Sequence, residues 1–324
     1  MHRHFIVRVT SLATLAVTLL FVSAAAQAQA ASGGCDRACL RQTLDAYLAA
    51  VFKHDPSAVP LTADHYATED TVVVPNGEGF WKDVSGYGEV QSRYFDPVNE
   101  TAAFLGLLKQ NGQDVITSVR IRVEGTKVSE AEWIFGQLGM MGHGKANIQG
   151  LVKNSPPTAI LPPSERSSRF IMVALANNYF QANKDHDASW LPDDPDCTRI
   201  ENGVGQGSPA GNAAGNVPAG NAPAQQVAAT APARRGCLAN FSGMDKITTD
   251  LAFRRFPVVD EEAGMVLGTG IYVRYSGLPL QHNLVSEYFL IRNGKIHAIW
   301  SAMYFLPTGA PDSTGWENRH GIWR

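Results

Sequence analysis

Residues with proton-transfer chemistry recur along this chain at one spacing. Tyr47 and Tyr179, His54 and His186, Asp55 and Asp187, and Glu69 and Glu201 each stand 132 positions apart. Pro60 and Pro192 keep the same step. A buried phenol can donate a hydrogen bond to developing negative charge, and a desolvated carboxylate can take a proton from carbon. Several identities at one ungapped offset mark an internal repeat. The acid pair changes between copies, from Glu69-Asp70 to Glu201-Asn202. Adjacent strand residues point to opposite faces, so only one of Glu69 and Asp70 can face an interior. The His-Asp pairs follow apolar helical runs, where Asp caps or terminates more often than it reacts.

Positioning such groups requires elements, and each copy shows the same coarse order. "CLRQTLDAYLAAVFKHD" places Leu40, Leu44, Tyr47, Leu48 and Val51 at helical spacing, and "RFIMVALANNYFQANKD" does so with Ile171, Leu175, Tyr179 and Phe180. A first strand is expected near "TVVVPNG", followed by strands at "AAFLGLLKQ", "QDVITSVRIRVEG" and "TKVSEAEWIF". The second copy answers with "GMVLGTGIYVR", "NLVSEYFLIRNG" and "KIHAIWSAMYF", with a hairpin signal at Asn293-Gly294. Helix first and strands last predicts an α+β chain of two tandem units, each with helices packed on a curved antiparallel sheet. The units are expected at 31–150 and 151–324, paired within the chain as a pseudo-dimer. Within the second unit, 205–236 is a low-complexity Gly/Ala/Pro/Asn tract, expected to be a disordered insert.

Composition narrows the classes of function. The first 30 residues carry a basic start, an apolar run and Ala28-Gln29-Ala30, the pattern of a cleaved export signal. A periplasmic or secreted location follows, with no membrane association after cleavage. Four cysteines suit an oxidising compartment, and Cys35–Cys39 with Cys197–Cys237 is the favoured pairing of three. No His, Cys or carboxylate set has metal-ligand spacing, so no metal and no cofactor is expected. The formal net charge is −3 and no basic-aromatic stripe exists, which leaves nucleic-acid binding without a basis.

With these residues in view, "YLAAVFKHD" (47–55) and "ADHYATEDTVVVPNG" (63–77) carry a resemblance. The chain resembles the cone-shaped nuclear-transport-factor-2-like superfamily, which includes ketosteroid isomerases, SnoaL-type cyclases and scytalone dehydratase. A helix-borne Tyr eight residues before an Asp, then Ala-Asp leading to Glu-Asp, is the shared pattern. The resemblance implies a cone around an apolar cavity, with Tyr47 as oxyanion donor and Asp70, or Glu69, as general base. Trp81, Tyr179, Glu201, His297 and Trp300 are the candidate substrate-binding residues. The resemblance departs near Ser118, where steroid isomerases place a second carboxylic acid. The implied function is an exported, cofactor-free isomerase, dehydratase or lyase on a hydrophobic cyclic or aromatic small molecule. The alternative is a non-catalytic binding or protein-interaction module. A monomer is expected in either case.

Overall fold

Asp36 opens the first helix by accepting a hydrogen bond from the Cys39 amide at 2.9 Å, an N-cap that satisfies one orphan donor. The helix, α1 (Arg37–Phe52), buries Leu40, Leu44, Tyr47, Leu48 and Val51 on one face, as the spacing predicts. The Cys35–Cys39 disulfide staples its first turn. The computed structural model describes residues 1, 34–139, 142, 144–206, 237–238, 247–278, 281–317 and 319. The expected export signal (Met1 apart) and the tract from 207 to 236 lie outside the described residues.

After α1 the chain forms β1 (Leu61–Glu69), β2 (Val72–Val73), a one-turn α2 (Phe80–Asp83), β3 (Val84–Asp96), β4 (Thr101–Gln110), β5 (Gln113–Glu124) and β6 (Lys127–Gly136). A short α3 (Ile148–Lys153) precedes α4 (Arg169–Asp185). Then come β7 (Asp193–Glu201), β8 (Val204–Gln206), β9 (Thr248–Asp260), β10 (Met265–Arg274), β11 (Asn283–Arg292) and β12 (Lys295–Phe305). The six strands of each half form one sheet, in the orders β2-β1-β6-β5-β4-β3 and β8-β7-β12-β11-β10-β9. The same fold is therefore present twice. Asn293 and Gly294 turn β11 into β12 with φ of 51° and 69°, the left-handed pair that an Asn-Gly hairpin turn needs.

Three expectations are corrected. Each sheet is mixed and not purely antiparallel, because β1 runs parallel to β6 and β7 parallel to β12. The four-strand meander β3 to β6 brings its last strand back beside the first, pointing the same way. The first strand lies at Leu61–Glu69 rather than at "TVVVPNG", of which only Val72–Val73 is a strand. The tract expected to be disordered from 205 begins inside β8, where Gly205 pairs with Ile200.

Gly34–Arg324 is one compact unit built as helix, sheet, sheet, helix. Helix α1 covers one face of the first sheet over Phe104, Val119, Trp133 and Phe135. Helix α4 covers the corresponding face of the second over Val266, Val285, Phe289 and Met303. The two remaining faces pack on each other, with Leu105, Leu107, Ile116 and Ile134 against Met265, Leu267, Leu284 and Tyr288. Burying each such side chain stabilises the assembly by roughly 1.5–3 kcal/mol. The contact is reciprocal. Arg37 at the start of α1 pairs with Asp260 at 2.7 Å, and Arg169 at the start of α4 pairs with Asp96 at 2.6 Å. Asp96 also accepts from the Val259 amide, and Asp260 from the Phe95 amide, both at 2.9 Å. Residue i meeting j while the counterpart of j meets that of i is the signature of a two-fold, isologous contact, here inside one chain.

Candidate functional site

In the first unit the interior is lined by aromatic and aliphatic side chains. Tyr47 is fully buried, and its hydroxyl accepts from Trp133 Nε1 at 3.4 Å. Trp81 stands edge-on to it at 5.6 Å, and Phe80 stacks on Trp133 at 4.3 Å. Burial raises the Tyr47 pKa. Glu69, the last residue of β1, shares the helix-covered face with Ala67, and accepts from the Phe80 amide at 2.6 Å. Burial raises its pKa, with that amide partly opposing.

Asp70 sits beyond the strand. Asp70 and Thr71 have φ of 48° and 84°, forming the two-residue turn between the paired Glu69 and Val72. Its carboxylate accepts from the Phe135 amide at 2.8 Å, the next N–H on β6 after pairing with β1 ends. Burial raises its pKa well above the usual range, the Phe135 amide opposes, and Glu69 adds to the rise. Asn202 repeats this arrangement, with φ of 43°, a Gly203 neighbour, and Oδ1 accepting from the Met303 amide at 2.8 Å. What the two copies share at this position is an acceptor for an orphan strand amide, and an amide side chain serves as well as a carboxylate.

Strand registers make the halves directly comparable. Across the first sheet's helix-covered face, Phe104, Val119, Trp133 and Glu69 form one row of paired residues. The corresponding row of the second sheet is Gly268, Glu287, Ser301 and Glu201. A second row changes from Leu108 and Val115 to Tyr272 and Asn283, and the strand-end pair from Val84 and Gln110 to Thr248 and Arg274. Ala67 becomes Arg199 at the same offset as the helix tyrosines. One interior is packed with aromatic and aliphatic side chains while its twin is polar. The fold tolerates the apolar set, so the polar set is not a requirement of the fold.

Glu287 is the centre of that difference. It lies on the middle of the second sheet with 0 % exposure, and neither carboxylate oxygen has a hydrogen-bond partner among the described residues. The Arg199 charge and, more weakly, hydrogen bonding from the nearby Tyr272 hydroxyl favour the anion, although that hydroxyl stands outside close hydrogen-bonding geometry. Burial, with a smaller contribution from the Glu201 charge, pushes the Glu287 pKa up to about 8. At neutral pH this group is a carboxylic acid, a hydrogen-bond donor. Ser301 beside it is 2 % exposed, and its hydroxyl has no hydrogen-bond partner among the described residues. Tyr179 projects from α4 into the same region, where Arg199 Nη1 donates to its hydroxyl at 3.1 Å. Arg199 also pairs with Glu201 at 3.3 Å. Burial raises the Tyr179 pKa, the Arg199 charge opposes the rise, and the charges of Glu287 and Glu201 add to it. Phe180, Phe289, Val285 and Met303 supply the apolar surroundings.

Other expected residues are placed apart from this cluster. Trp300 faces the first sheet and donates from Nε1 to the Asn154 carbonyl at 2.7 Å. His297 lies at an irregularity beside the β11–β12 turn, 3.3 Å from Asp194. Trp81 packs on Tyr47 in the first unit. Cys197 and Cys237 are bonded, closing the second core beside β7. His54 and His186 are both left-handed residues at helix ends, bonded to the Trp81 and Thr248 carbonyls. Sequence reasoning reached Tyr179 and Glu201 but missed Glu287, Arg199, Tyr272 and Ser301. A signal was present: "LVSEYFLIR" alternates as a buried strand and carries one acid on its inward face. Among the described residues, no group of three or more His, Cys, Asp or Glu could hold a metal ion.

A sequence family described only as a domain of unknown function (DUF8021) matches residues 165–303. That stretch runs from just before α4 to Met303 in β12, so it takes in the second unit and the whole polar cluster. No curated protein matches the chain.

Proposed function

We propose that the protein is an exported, cofactor-free acid/base enzyme whose working site is the helix-covered interior of the second unit. It transfers a proton next to the carbonyl of a hydrophobic cyclic or aromatic small molecule. The observation that carries this reading is Glu287, a fully buried acid whose oxygens meet no close hydrogen-bond partner among the described residues, where the twin unit has Val119. A buried unsatisfied carboxyl costs about 1–3 kcal/mol, which a ligand oxygen accepting from it would offset. The Glu201 carboxylate takes the proton from carbon, and the electron pair moves onto the carbonyl oxygen. The Glu287 acid and the Tyr179 phenol hold the resulting enolate by hydrogen bonds, and the proton returns to complete an isomerisation or eliminates a leaving group. This trio of helix phenol, first-strand acid and later-strand acid resembles the steroid-isomerase set, whose roles the resemblance suggests for Tyr47 and Asp70 or Glu69, and that likeness supports the reading. Four cysteines in two disulfides support an oxidising location, and no described helix is long and apolar enough to cross a membrane.

The test is deuterium exchange of 2-tetralone in D2O, followed by NMR. The wild-type chain should accelerate wash-in at carbon 1. Glu201→Gln should lower that rate by about 10²–10⁴-fold, the range for loss of a general base. Exchange no faster than with heat-denatured protein, across a panel of cyclic ketones, defeats the catalytic reading. One observation favours a second reading, binding without turnover: Arg199 engages Glu201 in an ion pair at 3.3 Å, which occupies the carboxylate that would act as base. Saturable ligand binding without exchange would select it.

A further inference from the structure

At the far end of the same interior lies a buried cation that forms no ion pair among the described residues. Arg274, the last residue of β10, is 6 % exposed. Its Nη1 donates to Thr248 Oγ1 at 2.5 Å and its Nη2 to Asn283 Oδ1 at 2.6 Å. Both partners are neutral, and no carboxylate pairs with this guanidinium among the described residues. Two donors in buried positions, Arg274 Nε and Asn283 Nδ2, have no hydrogen-bond partner among the described residues. The guanidinium lies 5.3 Å from the centre of the Tyr272 ring. Uncompensated buried charge is expensive, and native interiors pair it or neutralise it. A planar guanidinium flanked by an amide is also the donor arrangement that suits a carboxylate.

The twin unit again serves as an internal control. Its Gln110, Val84, Val115 and Leu108 occupy the positions of Arg274, Thr248, Asn283 and Tyr272. The same turn of fold is stable there without a charge. A structural role for Arg274 is thereby weakened, because its own bonds reach only residues that changed along with it.

We propose that Arg274, Asn283 and Thr248 form an anion subsite that takes the carboxylate of the ligand. The ligand class is then an aromatic or alicyclic carboxylic acid, a refinement that rests on the second unit's interior being the binding site. Asn283 and Glu287 stand four residues apart on β11, about 13 Å along the strand. The acid group is bound at one end and the rest of the molecule extends under α4 toward Glu287.

The experiment uses 2-naphthoate, its neutral analogue 2-naphthamide, and 2-naphthol, titrated calorimetrically into the full exported chain. The wild-type protein should bind naphthoate at least tenfold more tightly than naphthamide. Arg274→Gln should abolish that preference. Asn283→Asp supplies an internal carboxylate to Arg274, so it should raise the melting temperature while removing naphthoate binding. Together these cover the case in which Arg274→Gln fails to fold. Equal affinity for acid and amide in the wild type overturns the subsite, as does a preference that survives Asn283→Asp. Naphthol separates the two ideas: its binding should weaken with Glu287→Gln and persist with Asn283→Asp. Naphthol indifferent to Glu287→Gln, beside an Arg274-dependent naphthoate preference, would remove the acid/base reading and leave the anion subsite supported.

Discussion

Glu287 and Val119 occupy the same place in two copies of one sheet, and the physical contrast between them has a measurable consequence. The Glu287 carboxyl keeps its proton in the folded chain up to about pH 8, whereas the ordinary value is 4.5. Between those values the folded state binds more protons than the unfolded one, so stability falls as pH rises through that window and levels above it. Asp70 and Glu69 shift in the same direction, so the variant is needed to isolate the effect. Glu287→Gln should flatten the decline in melting temperature between pH 5 and 8.5, measured by calorimetry. A decline of unchanged steepness in the variant would show that Glu287 ionises like a solvated acid. The four cluster residues that sequence reasoning missed share one property: none stands out by type. A lone Glu, Ser or Tyr inside a β-pattern reads as a surface or core residue until its neighbours on adjoining strands are known.

At the scale of elements, the hairpins that close β1 and β7 explain the Asp/Asn difference that the sequence leaves puzzling. Both turns place a short polar side chain over an unpaired amide of the neighbouring strand, Phe135 in one case and Met303 in the other. Asp70→Asn should therefore fold normally, while Asp70→Ala leaves that amide without its acceptor and should cost about 1–3 kcal/mol in urea unfolding. Equal stability of the two variants would remove the turn role. Asn202-Gly203 is itself a strong hairpin signal, yet the strand before it, "DDPDCTRIE", is too polar to announce one. The strands β3 and β9 were equally hard to read. "VSGYGEVQSRYFD" carries two glycines and three charges, and its pairing with β4 is irregular between Tyr87 and Gln91. Long-range pairing, not local propensity, makes it a strand.

For the whole molecule, the reciprocal ion pairs at the helix starts hold the two units in one arrangement. Asp96 has 0 % exposure and accepts from Arg169 through both oxygens. Arg169→Ala strands that carboxylate, and loss of one partner of a buried pair typically costs about 3–5 kcal/mol. Denaturant unfolding should show this with a single transition, because the units share one interior interface. Two separated transitions would mean that the halves fold independently. The outer faces of both sheets are consumed within the chain, so sedimentation should give a monomer.

The amino-acid sequence by itself determined the repetition, both principal helices, six of the twelve strands and the presence of recurring phenols and acids, while it left three cysteine pairings open and favoured the one the structure shows. These depend on local periodicity and on identities at a constant offset, which a one-dimensional reading can see. Only the tertiary structure decided that the acid after β1 belongs to a turn, that β1 and β6 run parallel, and that the polar interior lies in the second unit. Those outcomes depend on which residues face each other across strands up to about a hundred positions apart, as Glu287 meets Glu201 across Ser301. Register sets those meetings, and a shift of one residue would turn every inward side chain to the opposite face.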